Sequence, residues 1–298
     1  MLHGIALRYF VEVARTGSLA AASENLHVAV SAVSRQISKL EEDVGAPLFE
    51  RLPRGMVLTE SGELLAEHAR RTLLEADAVL GQISASEARG GQLVRIACTE
   101  GFTRSFLPGA LARHYEAASN ARYLLRAGTP AQVEHWVAVG EVDIGVAFSS
   151  GNTSAPNVVY STEMPVRALF GSDHPLASRA SLTLADLQGY PIALLERGTT
   201  VRQLFDLCCS TRGVKIEPVL SSNNSPALHA FAALAGAITL GSSISLKGLA
   251  DELSLVWRSI DEPILNQRVL QVTTMRERRL PAIVKGLLDT VIAMIGDE

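Results

Sequence analysis

The sequence predicts an α/β multidomain protein with a small helical N-terminal domain, one long connecting helix and a larger α/β region. Three observations carry this. Apolar residues at helical spacing, broken by tight Gly/Ser turns, fill the first 58 residues and end in a short hairpin pattern. A stripe at alternating steps of four and three then runs from Leu65 to Ile83. Beyond Gly90-Gly91, short apolar runs alternate with helical segments. At 298 residues the chain is too long for one small core. Its 47% hydrophobic and 19% charged residues exclude a disordered chain.

The first helix repeats Leu7, Phe10, Val11 and Ala14. Gly17 suits a left-handed helix end and Ser18 suits the cap of the next helix, which buries Leu19, Ala22 and Leu26. A brief turn at His27-Val28-Ala29 leads to a third helix that starts near Ser31. Its apolar stripe is Val33, Ile37, Leu40 and Val44, and Gly45 stops it. Pro47-Leu48-Phe49 and Met56-Val57-Leu58 flank a basic Pro/Gly turn, which reads as a small β wing. Thr59 caps a long helix running to about Arg89, with seam residues Leu65, Ala69, Thr72, Ala76, Val79 and Ile83. A helix this long cannot bury such a stripe alone, so the sequence predicts that it pairs with a second copy. Packing on its own domain is the plainer alternative.

After the Gly90-Gly91 linker, strands are expected at 93–97, 123–127, 142–148, 166–170, 192–195, 216–220, 238–240 and 269–274. Helices are expected between them, at 106–116, 129–139, 201–211 and 226–235. Such alternation implies parallel sheets covered on both faces, in two subdomains.

With Val33, Ile37 and Leu40 inward, Ala32, Arg35, Gln36 and Lys39 project outward from the third helix. Arg bonds guanine O6 and N7, Gln bonds adenine, and Ala32 can touch a thymine methyl. Lys39 suits phosphate, and Ser31 and Ser34 near the helix start can donate to phosphate or base edges. Arg51 and Arg54 lie on the wing, where a guanidinium enters a narrow minor groove. A solvated face on an ordinary three-helix bundle is the plain alternative. The tight helix spacing and the basic wing together favour double-stranded DNA, although Glu41, Glu42 and Asp43 put acid at the end of the basic face. The formal net charge of −4 does not exclude this, because a DNA footprint need only be local.

These residues closely resemble the LysR-type transcriptional regulators. The matching stretch is LRYFVEVARTGSLAAASENLHVAVSAVSRQISKLEEDVGAPLFERLPRGMVLTESGELL. It carries the elements F-x-x-V, S-A-V-S-x-Q-I-x-x-L-E, G-x-x-L-F-x-R and L-T-x-x-G in order. Looser matches follow at FLP, GEVDIGVAF, DHPLA and LADLQGYPI, so the resemblance spans essentially the whole chain. It implies a winged helix-turn-helix over 1–58, a dimerising linker helix over 59–89 and an effector domain over 90–298 resembling periplasmic binding proteins. That domain has two α/β lobes with a small-molecule site between them: lobe I at about 92–162 plus 268–298, lobe II at about 163–267. The resemblance further implies a homotetramer built as a dimer of dimers, and admits RNA polymerase as a partner. It assigns base reading to Val30, Ser31, Ala32, Ser34, Arg35 and Gln36, with Arg54 on the wing. The family often has a polar residue where this chain has Val30, which can touch a thymine methyl but makes no bidentate base bond.

Ligands of open α/β sheets sit beyond the carboxyl ends of strands, often at helix N-termini. Cys98-Thr99-Glu100-Gly101 and Gly128-Thr129-Pro130 occupy such places. The candidate effector residues are Thr99, Gly101, Thr129 and Phe148 in the first lobe, and Gly198, Thr199, Thr200 and Arg202 in the second. A helix cap explains Thr129 equally well. Family effectors are often small organic acids. A Glu100 carboxylate facing the cavity would repel an anion and favour a neutral or cationic effector.

The sequence contains no GxSxG elbow, P-loop, strand-following GxGxxG or HExxH, and its seven histidines form no metal-spacing pair. It is therefore read as a regulator without enzymatic activity, metal or cofactor. A redox switch is the next rival. Cys208 and Cys209 are adjacent, so a bridge between them is strained, and Cys98 reads as a small buried residue. A plain solute-binding protein does not explain residues 1–58. The sequence shows no run of about 18 apolar residues and no leader-like start, and its three cysteines form no disulfide framework. It predicts a cytoplasmic protein without a membrane association.

Overall fold

The computed structural model describes residues 4–53, 55–87, 91–151, 157–246 and 253–297. The chain forms two compact units, one holding Met1–Gln92 and one holding most of the residues from Leu93 onward.

The first unit opens with α1 (Ile5–Thr16), α2 (Leu19–Leu26) and α3 (Val30–Val44). Gly17 adopts the left-handed conformation that ends α1, at φ 65°. The Ser18 side chain accepts from Ala21 N and caps α2. His27, with φ 54°, ends α2 and turns the chain into α3. Gly45 ends α3 in the same left-handed manner. The wing is an antiparallel pair, β1 (Phe49–Leu52) and β2 (Gly55–Leu58). Met56 N donates to Gly17 O at 2.8 Å, which ties the wing to the α1–α2 turn. Gly55 has φ +129°, and a Cβ there would lie 2.5 Å from Gly17 O, so only glycine permits this approach. Phe10, Val13, Ala22, Val33, Ile37, Leu48 and Phe49 form the core, with the Phe10 and Phe49 rings 5.3 Å apart.

The long helix α4 spans Glu60–Glu87. Thr59 accepts from Gly62 N at 3.0 Å, the expected cap. Gly62 lets α4 lie against Leu48, whose carbonyl oxygen would be 2.1 Å from an added Cβ. The seam divides. Leu65 and Ala69 pack, with Ala66, into the core of their own unit, so the plainer alternative holds for the first turns. Val79, Leu80 and Ile83 stay exposed.

The second unit contains two sheets. The first, in the order β4-β3-β5-β13-β6, comprises β3 (Gln92–Cys98), β4 (Ala121–Ala127), β5 (Ile144–Ser150), β6 (Val158–Glu163) and β13 (Arg268–Thr273). The second, β10-β9-β11-β7-β12-β8, comprises β7 (Arg167–Gly171), β8 (Ser181–Leu182), β9 (Ile192–Leu195), β10 (Leu220–Ser222), β11 (Ile238–Gly241) and β12 (Leu255–Ile260). Helices α5 (Phe106–Ala117), α6 (Pro130–Ala138), α7 (Leu184–Leu187), α8 (Thr200–Arg212), α9 (Ser225–Ala235) and α10 (Ser243–Leu246) separate strands, and α11 (Ala282–Gly296) follows the last one.

The all-parallel expectation is corrected. β3 and β5 run parallel, as do β9, β10 and β11, but β13 is antiparallel to β5 and β6, and β7 is antiparallel to β11 and β12. The chain leaves the first sheet through β6 and returns through β13, which lies between β5 and β6 and runs against both. The strand expected at 216–220 begins only at Leu220. Strands β6, β8 and β12 and helices α7, α10 and α11 were not expected. Each sheet has its own apolar core, one around Ile96, Phe106, Ile144 and Leu287, the other around Phe170, Leu194, Phe205 and Ile238.

Candidate functional site

Two surfaces carry polar groups that the fold does not use. The first is the outer face of α3. Val33 and Ile37 are buried and Leu40 half-buried, which turns Ser31, Arg35, Ser38 and Lys39 to solvent. Val30 is 44% exposed at the helix start. Ala32, Ser34 and Gln36 are half-buried and flank this stripe. The side chains of Arg35, Lys39 and the exposed Arg51 of β1 make no hydrogen bond or ion pair among the described residues. Ser38 joins Ser31, Arg35 and Lys39 on the exposed side and was not singled out in the sequence. Arg54 lies outside the described residues. The acid expected at the end of the basic face is partly diverted, because Glu41 Oε1 accepts from Leu48 N and Phe49 N and fixes the start of the wing.

The second is a cavity of about 450 Å³ between the two lobes of the C-terminal unit. Thr99, Gly101, Thr129, Phe148, Gly198, Thr199 and Thr200 all line it. Arg202 is not among its lining residues: its guanidinium bonds Asp206 Oδ1 at 2.8 Å and Leu195 O at 3.3 Å, and so braces the β9–α8 corner. Thr129 caps α6, exchanging bonds with Gln132 (Thr129 N to Gln132 Oε1 at 2.9 Å, Gln132 N to Thr129 Oγ1 at 3.3 Å). Gly128 beside it has no room for a Cβ, which would meet the Trp136 ring at 2.8 Å. Thr199 caps α8 in the same way, accepting from Arg202 N. Thr200 Oγ1 donates to Phe148 O at 3.2 Å, a bond that joins one lobe to the other.

Glu100 does line the cavity, but its carboxylate is engaged. Oε2 accepts from Ser225 N at 3.0 Å, at the first turn of α9, where the helix dipole favours negative charge.

Among the cavity residues that the sequence reading missed are Arg268 and His229. Arg268 opens β13 and is 2% exposed; its guanidinium carbon lies 3.5 Å from the Phe148 ring centroid, and Nη2 donates to Ser242 Oγ at 3.4 Å. Burial pushes it down to about 9, so it stays cationic at neutral pH. His229 of α9 is also buried; burial, then Arg104, pushes it down to about 4, so it is neutral. No sequence signal marked Arg268, since arginine is seldom fully buried and the stretch it heads, Val269–Thr274, mixes apolar and polar residues. The thiols are free and buried. Burial, with Glu100 beside it, pushes Cys98 up to about 12, and burial carries Cys208 to about 11 and raises Cys209. A peroxide sensor needs accessible thiolate, and this environment suppresses it. No described helix is long and apolar enough to cross a membrane.

Two family models match the chain. Residues 5–63 match the bacterial regulatory helix-turn-helix protein, lysR family, and residues 87–295 match the LysR substrate binding domain. The chain belongs to the LysR family. Among curated relatives, the HTH-type transcriptional regulator cbl of Klebsiella aerogenes is 30% identical over 76% of this chain and 73% of its own. YvbU, an HTH-type transcriptional regulator of Bacillus subtilis, is 25% identical over 98% of both chains. The fold is shared with full-length OxyR of Pseudomonas aeruginosa (TM-score 0.65, 18% identity, 97% of this chain and 95% of that one). It is also shared with CbnR in complex with its target DNA (TM-score 0.53, 21% identity, 97% and 98%). This LysR-family chain is thus a DNA-binding transcription regulator with an effector domain, and its curated relatives are regulators, not enzymes.

Proposed function

We propose that this regulator reads operator DNA with the exposed face of α3 and the wing, and that a small effector in the inter-lobe cavity sets how it does so. The observation that carries the reading is the stripe Ser31, Arg35, Lys39. It is exposed on the second helix of the helix-turn-helix, and its two cations make no ion pair among the described residues. In this geometry the recognition helix lies in the major groove and the wing follows the backbone. Arg35 reads a guanine, Gln36 an adenine, and Val30 and Ala32 rest on thymine methyls. Ser31, Ser34, Lys39, Arg51 and Arg54 hold phosphate or the minor groove. The exposed Val79, Leu80 and Ile83 on α4 support pairing with a second copy, and a tetramer of two such pairs sets the spacing of half-sites. Thr99, Gly101, Thr129, Phe148, Gly198, Thr199 and Thr200 form the effector site, with Arg202 supporting it from behind. RNA polymerase is the further partner at the promoter, and the cytoplasm the compartment.

Binding to promoter DNA, followed by fluorescence anisotropy against salt, tests the reading. Arg35→Ala is expected to cost about 1–3 kcal/mol at one base position and to relax specificity there. Lys39→Ala is expected to weaken all sequences alike and to lower the salt slope by about 1. Unchanged affinity and slope in both variants would sink the assignment.

A further inference from the structure

We propose that Glu41 is a positioning residue for DNA binding: its carboxylate sets the wing against the reading helix, so that an acid beside the DNA surface strengthens binding. This rests on reading α3 and the wing as that surface. Glu41, Glu42 and Asp43 fill the last turn of α3, where no basic residue stands. Negative charge is misplaced there twice, against the carboxyl end of the helix dipole and against DNA phosphate. Glu42 and Asp43 are exposed, but Glu41 is half-buried. Its Oε1 accepts from Leu48 N at 2.8 Å and from Phe49 N at 3.3 Å. Those are the last amide before β1 and the first within it.

The carbonyls of the same stretch are held from the start of α4. Thr59 Oγ1 donates to Pro47 O at 2.7 Å, and Thr59 N donates to Leu48 O at 3.0 Å. The second strand is tied to the α1–α2 turn by Met56 N on Gly17 O. Of these ties, only that of Glu41 comes from the helix that carries Ser31, Arg35 and Lys39. Arg51 lies two residues beyond Phe49 on β1, so its direction follows that anchor. The two elements gain from each other only if one duplex can meet both at once, and a wing already held in place loses less freedom on binding. A carboxylate that merely stabilises the fold is the plain alternative. Leu48 and Phe49 are held in the core by their own side chains, with Phe49 against Phe10, so the domain keeps that core when Glu41 changes.

The test follows fluorescence anisotropy of the full chain on a duplex that it selects from random-sequence DNA, over a series of salt concentrations. Hydrogen exchange at the Leu48 and Phe49 amides and the unfolding midpoint are read on the same samples. Charge alone predicts tighter binding when any of the three acids is removed, and this is expected for Glu42→Ala and Asp43→Ala. Glu41→Ala is expected to do the opposite, weakening binding by about threefold to tenfold and lowering the salt slope by about 1, as if Arg51 had been lost. Glu41→Gln, which keeps the reach and an acceptor oxygen, should bind at least as tightly as the parent. Glu41→Asp, which keeps the charge but draws it back by one methylene, should weaken binding as Glu41→Ala does. Faster exchange of the two amides should accompany Ala and Asp but not Gln. With Arg51→Ala already present, Glu41→Ala should cost much less than in the parent. If Glu41→Ala does not fold, the contrast between Gln and Asp decides. The inference is overturned if Glu41→Ala binds as tightly as the parent, if Gln weakens binding as much as Asp, or if the loss persists in full beside Arg51→Ala. Arg35→Ala and Arg51→Ala are measured alongside. If both bind like the parent, the reading beneath fails; if they weaken binding while Glu41→Ala does not, this inference alone fails.

Discussion

The α3 face and the inter-lobe cavity both hold polar groups that the fold leaves unused, and they do so in opposite environments. On α3 the unused groups stand in water, where ion pairs are weak and screened by salt. In the cavity they are buried, where each unmet hydrogen bond is costly and each charge acts strongly. A surface that meets a long, evenly charged polymer can gain affinity by summing many weak contacts. A site for a small molecule has few contacts to use, so each must be strong. The contrast predicts that substitutions on α3 change binding without changing stability, while substitutions at the cavity change both.

The largest effect is expected at the cavity floor. Phe148 stacks on Phe102 at 4.7 Å, carries Arg268 on its ring and is 9% exposed. Phe148→Ala should cost about 3–5 kcal/mol in denaturant unfolding of the C-terminal unit. A cost below about 1 kcal/mol would break the view that the ligand site is built from core. Next is the pH dependence set by His229. Its imidazole takes up a proton near 6.5 when unfolded and near 4 when folded. Between those values the unfolded chain binds more protons, so stability should fall as pH drops from about 6.5 to about 4, by up to about 3 kcal/mol. His229→Gln should flatten that part of the curve, and an unchanged slope would show that other groups set it.

A smaller effect is expected from Thr200→Val, which removes the bond from α8 to Phe148 O. About 1 kcal/mol of stability should be lost, with effector affinity shifted and promoter affinity unchanged in the absence of effector. The smallest is the stability change in Arg35→Ala. Within about 0.5 kcal/mol of the parent in unfolding, it should still lose base preference. A clear destabilisation there would blur the contrast between the two surfaces.

Much of the protein was legible because its signals are local. Gly17, Ser18 and Thr59 announce helix ends through chemistry acting over two or three residues, and each acts as expected. The third-helix stripe followed from a 3.6-residue period. Thr99, Thr129 and Thr199 were found because strand ends and helix starts mark where ligands enter α/β sheets. Arg202 sits at the same kind of place, but Asp206 one turn on in α8 claims its guanidinium, an i,i+4 pairing that the sequence spacing offered and the reading passed over.

What the sequence by itself determined is the helix-turn-helix with its wing, the exposed polar face of its second helix, and the loops that surround the cavity. Those follow from periodicity, caps and turn residues, which act within a few positions of the chain. Tertiary structure alone decided the strand directions, the division of the α4 seam between its own core and solvent, and the chemistry of the cavity. Glu41 is turned to the wing and Glu100 to α9 by backbone amides seven and 125 positions away. Arg268, with no counter-ion among the described residues, is enclosed by Phe148 of one lobe and Ser242 of the other, and burial of that kind is a property of the assembled chain.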